Sequence, residues 1–366
     1  MKIVQMITRG DTYYGAQAHV LDMCKLLKAD GQDVVAVVGN EGDLTDRFTD
    51  AGVPYRVVPT LQRAIHPTRD LRSVTDLKNL FLEIKPDLVA THSSKAGIVG
   101  RLGAYRAGVP CVFTAHGWSF EDGIPYFRRK LYLAIERYVA RRTNRIIGVS
   151  ELGRQLGIDN RVAPADKIET IYYGVEDIGP QHVRELNDPF TMTMVAGFRN
   201  QKDHPTLIAA LEGLKDRSWQ VHFLGDGPLM ETTRQQVQQA GLADRIHFHG
   251  AVKNVPEYLR KTHLKVLITN WEGLPISVLE SLSYGMPVVA SDVSGVSEEV
   301  IDGYNGLLTQ RGDVDSVKTA LAKMMDSPQL CEEYGANSRN LFEEHFTQEA
   351  MYKKTKSLYE RVIAEA

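Results

Sequence analysis

The sequence predicts an α/β protein of two doubly wound parallel-sheet domains in tandem. Three observations point there. The 366 residues, 43% hydrophobic and 24% charged, suffice for two buried cores at about 100 to 200 residues per domain. Short β-branched apolar runs alternate with longer amphipathic stretches, the pattern of βαβ units. The alternation stops near Gly174 and then resumes, so the chain holds two such series.

In the first series the runs Ile3–Ile7, Val34–Val38, Tyr55–Val58, Asp87–Ala90, Cys111–Thr114 and Arg145–Val149 read as strands. Between them, Ala16–Ala29, Asp70–Ile84, Lys95–Ala107 and Pro125–Thr143 place apolar residues three and four apart, as crossover helices do. Residues 175–189, rich in Asp, Glu, Gly and Pro, read as a connector. The second series has strands near Thr191–Ala196, Gln220–Leu224, Arg245–His249, Lys265–Thr269, Val288–Ala290 and Leu307–Thr309. The tail, 348–366, carries Met351, Thr355, Leu358, Tyr359, Val362 and Ile363 at helical spacing. The expected organisation is therefore an N-terminal domain 1–175, a C-terminal domain 190–347, and a last helix packing back toward the N-terminal domain. Ligands of open α/β sheets bind outside the carboxyl ends of the strands, so the loops there carry the candidate chemistry.

Charge narrows the function. Residues 1–180 hold 24 basic and 21 acidic side chains, a balance of +3, against 19 and 25 beyond, a balance of −6. That is not the footprint of a nucleic-acid binder. Cys24, Cys111 and Cys331 are few and far apart, which fits a reducing cytosol rather than a disulfide framework or a zinc motif. The opening residues read as a first strand rather than a signal peptide. Charges or glycines interrupt every hydrophobic run, so any membrane contact is expected to be peripheral.

The first predicted strand leads to Gly15-Ala16, a small-residue turn into a helix whose amides suit a phosphate, or an ordinary βα turn. Neither G-x-G-x-x-G nor a P-loop occurs. His116 follows the strand ending at Thr114 and reads as a site residue or as a structural histidine. Arg199 and Lys202 stand on the first loop of the second domain, positioned for a diphosphate or simply solvated. In Trp271-Glu272-Gly273-Leu274-Pro275-Ile276-Ser277-Val278-Leu279-Glu280, Pro275 suits a helix start, which would leave the amides of Ile276, Ser277 and Val278 free for an anion. Glu280 then faces vicinal hydroxyls, and Glu272 stays free to hold another polyol. Asp313-Val314-Asp315 reads as a helix cap rather than a metal site.

On these residues the sequence resembles family 4 of the retaining glycosyltransferases, which have the GT-B fold of two Rossmann-like domains facing across a cleft. Glu272 and Glu280 match that family's E-x7-E motif, and GAQAH, HSSKAGIVGRLGAYRAGVP, TAHGW, GVSE, IYYGVE, QKDHPTL and SLSYGMPVVASDVSGVSEEVIDGYNGLL extend the likeness over nearly the whole chain. The resemblance implies Lys202 on the donor diphosphate, Glu280 on the nucleotide ribose, Glu272 on the transferred sugar and His116 beside its reacting face. It places Gly15 and Ala16 on the phosphate or sugar. Many members carry Arg where this chain has Gly197, and Arg199 is taken as the substitute; Tyr14 stands where many have Gly. The implied reaction is retaining, with the departing phosphate taking the acceptor proton, and needs neither metal nor cofactor beyond a nucleotide-sugar co-substrate, a UDP sugar by family frequency. Base recognition is expected near residues 251–254.

The acceptor is expected to be a saccharide or polyprenyl-linked saccharide of polysaccharide or glycolipid assembly, handled in the cytoplasm at the inner face of the plasma membrane. The stretch 125–145, basic and amphipathic, reads either as a contact with anionic lipid or as a core helix with a basic solvated face. Lys95, Arg101 and Arg106 are alternative cations for an acceptor pyrophosphate. Two rival functions are a nucleotide-sugar 2-epimerase of GT-B fold, disfavoured by E-x7-E, and a non-catalytic nucleotide-sugar-binding protein, disfavoured by His116, Lys202, Glu272 and Glu280 together.

Overall fold

The computed structural model describes residues 1–120, 124–179, 189–252 and 254–366. It divides into two units, 1–173 with 349–366, and 174–348. Most of the expected connector, 180–188, and Lys253 in the expected base-binding segment lie outside the described residues.

Unit 1 runs β1 (Lys2–Ile7), α1 (Gly15–Ala29), β2 (Asp33–Val38), α2 (Asp43–Asp50), β3 (Tyr55–Val57), α3 (Pro67–Ile84), β4 (Leu88–His92), α4 (Ser94–Ala107), β5 (Cys111–Ala115), α5 (Tyr126–Ala140), β6 (Arg145–Gly148), α6 (Glu151–Asp159) and β7 (Ile168–Thr170). Its strands form one sheet in the order β3-β2-β1-β4-β5-β6-β7, and every pairing is parallel. β1, β4 and β5 are buried almost throughout, which explains their unbroken apolar runs. The strand order reverses between β1 and β4, and Thr8 Oγ1 lies 2.8 Å from Ser93 Oγ across that switch point. Ser93 holds a left-handed backbone there, with φ 68°.

Unit 2 runs β8 (Phe190–Val195), α7 (His204–Glu212), β9 (Trp219–Leu224), α8 (Met230–Gln239), β10 (Ile246–Phe248), α9 (Val255–Leu259), β11 (Leu264–Leu267), α10 (Ile276–Ser283), β12 (Val288–Ser291), β13 (Gly306–Thr309), α11 (Val314–Asp326) and α12 (Pro328–His345). Its parallel sheet has the order β10-β9-β8-β11-β12-β13, with the reversal between β8 and β11. Asp313 caps α11 by accepting the Ser316 N–H at 3.0 Å, the role its sequence position suggested.

The last helix, α13 (Gln348–Ala364), belongs to unit 1 from Glu349 on. Met351, Leu358, Tyr359 and Val362 join the core built on β1, α1 and β2. Lys356 and Tyr352 both reach Asp30, at 2.6 and 2.9 Å, and Arg361 meets Glu169 at 2.6 Å.

Candidate active-site residues

In unit 2 the loops after β8 and β11 meet at the switch point, where open α/β sheets hold ligands. Their backbones are knitted together. Lys202 bridges Thr269, Asp203 N–H donates to Ile268 O at 2.9 Å, and Asn270 N–H donates to Gln201 O at 2.8 Å. Lys202 Nζ forms an ion pair with Glu272 Oε1, which also accepts from Thr269 Oγ1 at 2.9 Å. Gln201 Nε2 donates to Glu272 Oε2 at 3.2 Å.

Glu272 is therefore not the free carboxylate the sequence suggested. Only 8% exposed, it needs compensation on both oxygens and receives it from its own loop and its neighbour. Its visible work is to hold Lys202.

The amides at the start of α10 are also fewer than expected. Pro275 is the cap rather than the first helical residue, and its carbonyl accepts the Val278 N–H at 2.8 Å. Ile276 and Ser277 remain the open end. Glu280, half-buried on the same helix, interacts electrostatically with Lys265. Arg199 is exposed, and its guanidinium turns back toward Gly197: a Cβ built there would lie 3.9 Å from Arg199 Nε. That puts a cation beside the position vacated by the family arginine.

Two buried ionisable groups of unit 2 went unnoticed in the sequence. Lys265 Nζ and both carboxylate oxygens of Glu299 have no hydrogen-bond partner. Burial pulls the Lys265 ammonium well below the usual lysine range and pushes Glu299 well above the usual carboxylate range.

Unit 1 brings together a different chemistry. His116, just past β5, is linked through His92 and Gln5 to the last helix. Gln5 Nε2 donates to Tyr359 Oη at 3.3 Å, which leaves Gln5 Oε1 to accept from His92 Nε2 at 2.7 Å. His92 Nδ1 is then an acceptor, 3.0 Å from His116 Nε2, and His116 Nδ1 accepts the Tyr173 hydroxyl. With the Gln5 amide so placed, both imidazoles are Nε2–H tautomers and His116 has no nitrogen free. His19 packs edge-on against His92 and His116, at 5.5 and 5.4 Å between ring centres.

Burial depresses all three imidazoles: His19 is pushed down to about 4, and His92 and His116 lie well below their ordinary value, His92 helped by repulsion from His116 and His19, His116 by repulsion from His19. His116 is thus a neutral, oriented group. Gln5, His92, Tyr173 and Tyr359 carry no site role in the sequence reading; the available signals are His92 at the carboxyl end of β4, inside the family stretch HSSKAG, and Tyr173 inside IYYGVE. Gly15 and Ala16 open α1. Ala18 N–H already bonds Tyr14 O at 2.9 Å, so the amides of Gly15, Ala16 and Gln17 form that helix's open end. Tyr14 is exposed.

One expected cation is corrected. Arg101 is fully buried and paired with Glu136 at 2.6 Å, with its guanidinium 4.0 Å from the centre of the Phe113 ring. It ties α4 to α5 and is unavailable to an acceptor. The single acid of α5 is thus turned inward, while Tyr126, Phe127, Leu131 and Tyr138 stand exposed on it. Two of its cations are engaged within the fold, Arg129 on Phe120 O at 3.0 Å and Arg137 on Asn160 O at 2.8 Å, and Arg142, just past the helix, lies over the Tyr138 ring.

Comparison with known proteins agrees with this arrangement. The family description "Glycosyl transferase 4-like domain" matches residues 14–174, and "Glycosyl transferases group 1" matches residues 178–341. An Escherichia coli protein named UDP-Gal:alpha-D-GlcNAc-diphosphoundecaprenol alpha-1,3-galactosyltransferase is 30% identical over 362 residues, covering 94% of this chain and 93% of its own. The chain is a family 4 glycosyltransferase. The transferase is also 27% identical to the E. coli O-antigen biosynthesis glycosyltransferase WbnH, over 89% of this chain and 91% of that one. Among solved structures, Anabaena HepE in complex with UDP superposes with a TM-score of 0.85 at 19% identity, covering 99% of this chain and 100% of that one, which shows the GT-B fold. The epimerase and non-catalytic readings are not favoured by these matches. Among the described residues no helix of the transferase is long and apolar enough to cross a membrane.

Proposed function

We propose that this transferase moves a hexose from a UDP sugar onto a saccharide carried by a lipid diphosphate, in polysaccharide or glycolipid assembly, with retention of anomeric configuration and without a metal ion. The observation that carries the reading is Lys202 fixed by buried Glu272 at the switch point of unit 2. A preoriented cation there stabilises the charge that grows on a departing diphosphate. Arg199 and the open start of α10 add to that field, and Glu280 binds the ribose hydroxyls. The names of the relatives supply the rest: one is named for UDP-Gal and a diphosphoundecaprenol-linked acceptor, the other for O-antigen biosynthesis.

In the proposed step the bond from the anomeric carbon to the β-phosphate oxygen breaks as the acceptor oxygen attacks the same face. The acceptor's hydroxyl proton passes to the departing phosphate oxygen, giving UDP and the new glycoside. No side chain need act as base, in keeping with His116, whose two nitrogens are already engaged. His116 shapes the space around the sugar. Contact of the basic, partly apolar α5 with anionic lipid belongs to the same proposal.

The test is product analysis. The transferase, with chelator present, is given UDP-galactose, UDP-glucose or UDP-N-acetylglucosamine and a synthetic lipid-diphosphate N-acetylglucosamine. The expected result is one preferred donor and an α-linked product by proton NMR coupling. A β-linked product, or turnover only after a divalent metal is added, contradicts the reading.

A further inference from the structure

Unit 1 contains a pocket of about 560 Å³ at its own switch point, between the ends of β1 and β4 and helices α3, α4 and α5. The size fits a small-molecule site. Its wall is apolar: Ile7, Val74, Ile98, Val99, Leu102 and Ile135 line it. Along this apolar stretch a saccharide or a nucleotide would find few hydrogen-bonding partners, and leaving its hydroxyls unpaired there would oppose binding. Polar groups line it as well, Arg9, Gln17, Ser94, Ser119 and Tyr132 among them; the cations beside the apolar wall are Arg63, exposed, and Lys95, held by Asp70 at 2.6 Å, with Thr8 and Ser93 at the switch point.

Two further features show where an apolar occupant continues. Ile65 and Leu71 line the pocket yet are 68% and 62% exposed, an apolar lip open to solvent. On α5, Phe127 (84% exposed) and Leu131 (57%) precede wall residue Ile135 at successive four-residue steps, so one apolar stripe runs from the pocket along the helix. Arg128 and Lys130 are exposed beside it. Exposed apolar side chains continuous with a pocket and flanked by cations mark a site for an amphipathic anion.

We propose that this pocket binds the hydrocarbon chain of a lipid-diphosphate acceptor, with the diphosphate toward Arg63 and Lys95 and the chain leaving along the Ile135–Leu131–Phe127 stripe. The proposal rests on the lipid-linked acceptor of the proposed function and adds where the lipid sits.

Farnesyl diphosphate is the probe, with farnesol and inorganic diphosphate as controls. The double variant Ile65→Glu/Leu71→Glu changes exposed residues and should fold normally; Ile98→Trp fills the pocket independently. The wild-type protein should bind farnesyl diphosphate at least tenfold more tightly than inorganic diphosphate. Both variants should weaken farnesyl diphosphate at least tenfold while leaving UDP affinity unchanged. They should also raise KM for the lipid-linked acceptor, but not for the same sugar diphosphate bearing only a methyl group. Equal affinity for farnesyl diphosphate and inorganic diphosphate, unchanged farnesyl diphosphate affinity in both variants, or an equal KM rise for both acceptors overturns the proposal. Farnesol binding as tightly as farnesyl diphosphate overturns the assigned position of the diphosphate. If the variants behave as expected in binding but the wild type glycosylates no lipid-linked acceptor with any UDP sugar, the proposed function fails, while the pocket stands as a lipid site.

Discussion

The two units solve the same problem, holding polar groups at a sheet's carboxyl edge, by opposite means. Unit 2 uses opposite charges: Lys202 and Glu272 compensate each other on adjoining loops. Unit 1 uses neutral groups in series: Tyr359, Gln5, His92, His116 and Tyr173 each satisfy the next, and burial keeps the imidazoles uncharged. Under the proposed function, charge suits a unit that faces a diphosphate, because a preoriented cation holds it and stabilises the further charge that grows as the bond breaks. A neutral chain suits a unit that orients a sugar, because it fixes geometry without attracting counterions. Under the proposed function the contrast divides the labour: unit 2 would bind and drive, unit 1 would position.

Removing the cation of unit 2 should have the largest effect. Lys202→Met should weaken UDP about 100-fold by calorimetry. It should also cost about 3 kcal/mol of stability, because Glu272 is left buried and unpaired. The double variant Lys202→Met/Glu272→Gln should recover most of the stability and none of the UDP affinity. Recovery of both would mean that the pair only supports the fold, and the division of labour would collapse.

Next comes the corresponding lesion in unit 1. His116→Asn should lower kcat about 100-fold through lost positioning while UDP affinity stays within about threefold. Tyr173→Phe removes only the donor to His116 Nδ1 and should lower kcat about tenfold. Steady-state kinetics beside UDP titration checks both; a parallel loss of UDP affinity would assign His116 to nucleotide binding instead.

The neutral chain also predicts a pH response. An imidazole held below its unfolded value binds fewer protons folded than unfolded, so its stabilisation is complete above about pH 6.5 and is lost as the pH falls toward the folded value. For His19, pushed down to about 4, this amounts to about 3 kcal/mol over that window. Tm should fall between pH 7 and pH 5, and His19→Phe should flatten that fall. An equally steep fall in the variant would place the acid sensitivity elsewhere.

The smallest effect sharpens the comparison from the other side. Lys265 is buried in unit 2 without a hydrogen bond, so it resembles neither solution. Lys265→Met should leave Tm unchanged or raise it by about 2 to 4 °C. A large fall would show that its weakened ammonium holds Glu280 or Glu299 in place.

The fold was legible because buried parallel strands leave unmistakable apolar runs; the expected and observed strands mostly differ by one or two residues at their ends. β7, only three residues long with Glu169 at its centre, left no such run and was missed. Single candidate residues could be picked out where a loop follows a strand, as with Lys202, Arg199 and His116. Their relations were not. Lys202 and Glu272 are 70 residues apart and become partners only because β8 and β11 are neighbours, so Glu272 looked free. Arg101 looked like a pocket cation because nothing in the sequence shows that α5 turns Glu136 inward. The chain from Tyr359 to Tyr173 joins five separate segments, and its direction follows from hydrogen-bond bookkeeping that exists only in three dimensions.

The central claim is that unit 1 positions the sugar through neutral histidines while unit 2 supplies the charge. Nitrogen NMR of the protein labelled in its histidine rings tests it most directly, at pH 7 with His92→Gln and His116→Asn variants for assignment. The predicted result is that His92 and His116 are both neutral, each carrying its proton on Nε2 and an unprotonated Nδ1. An imidazolium signal, or an Nδ1–H tautomer, at either residue would contradict the account.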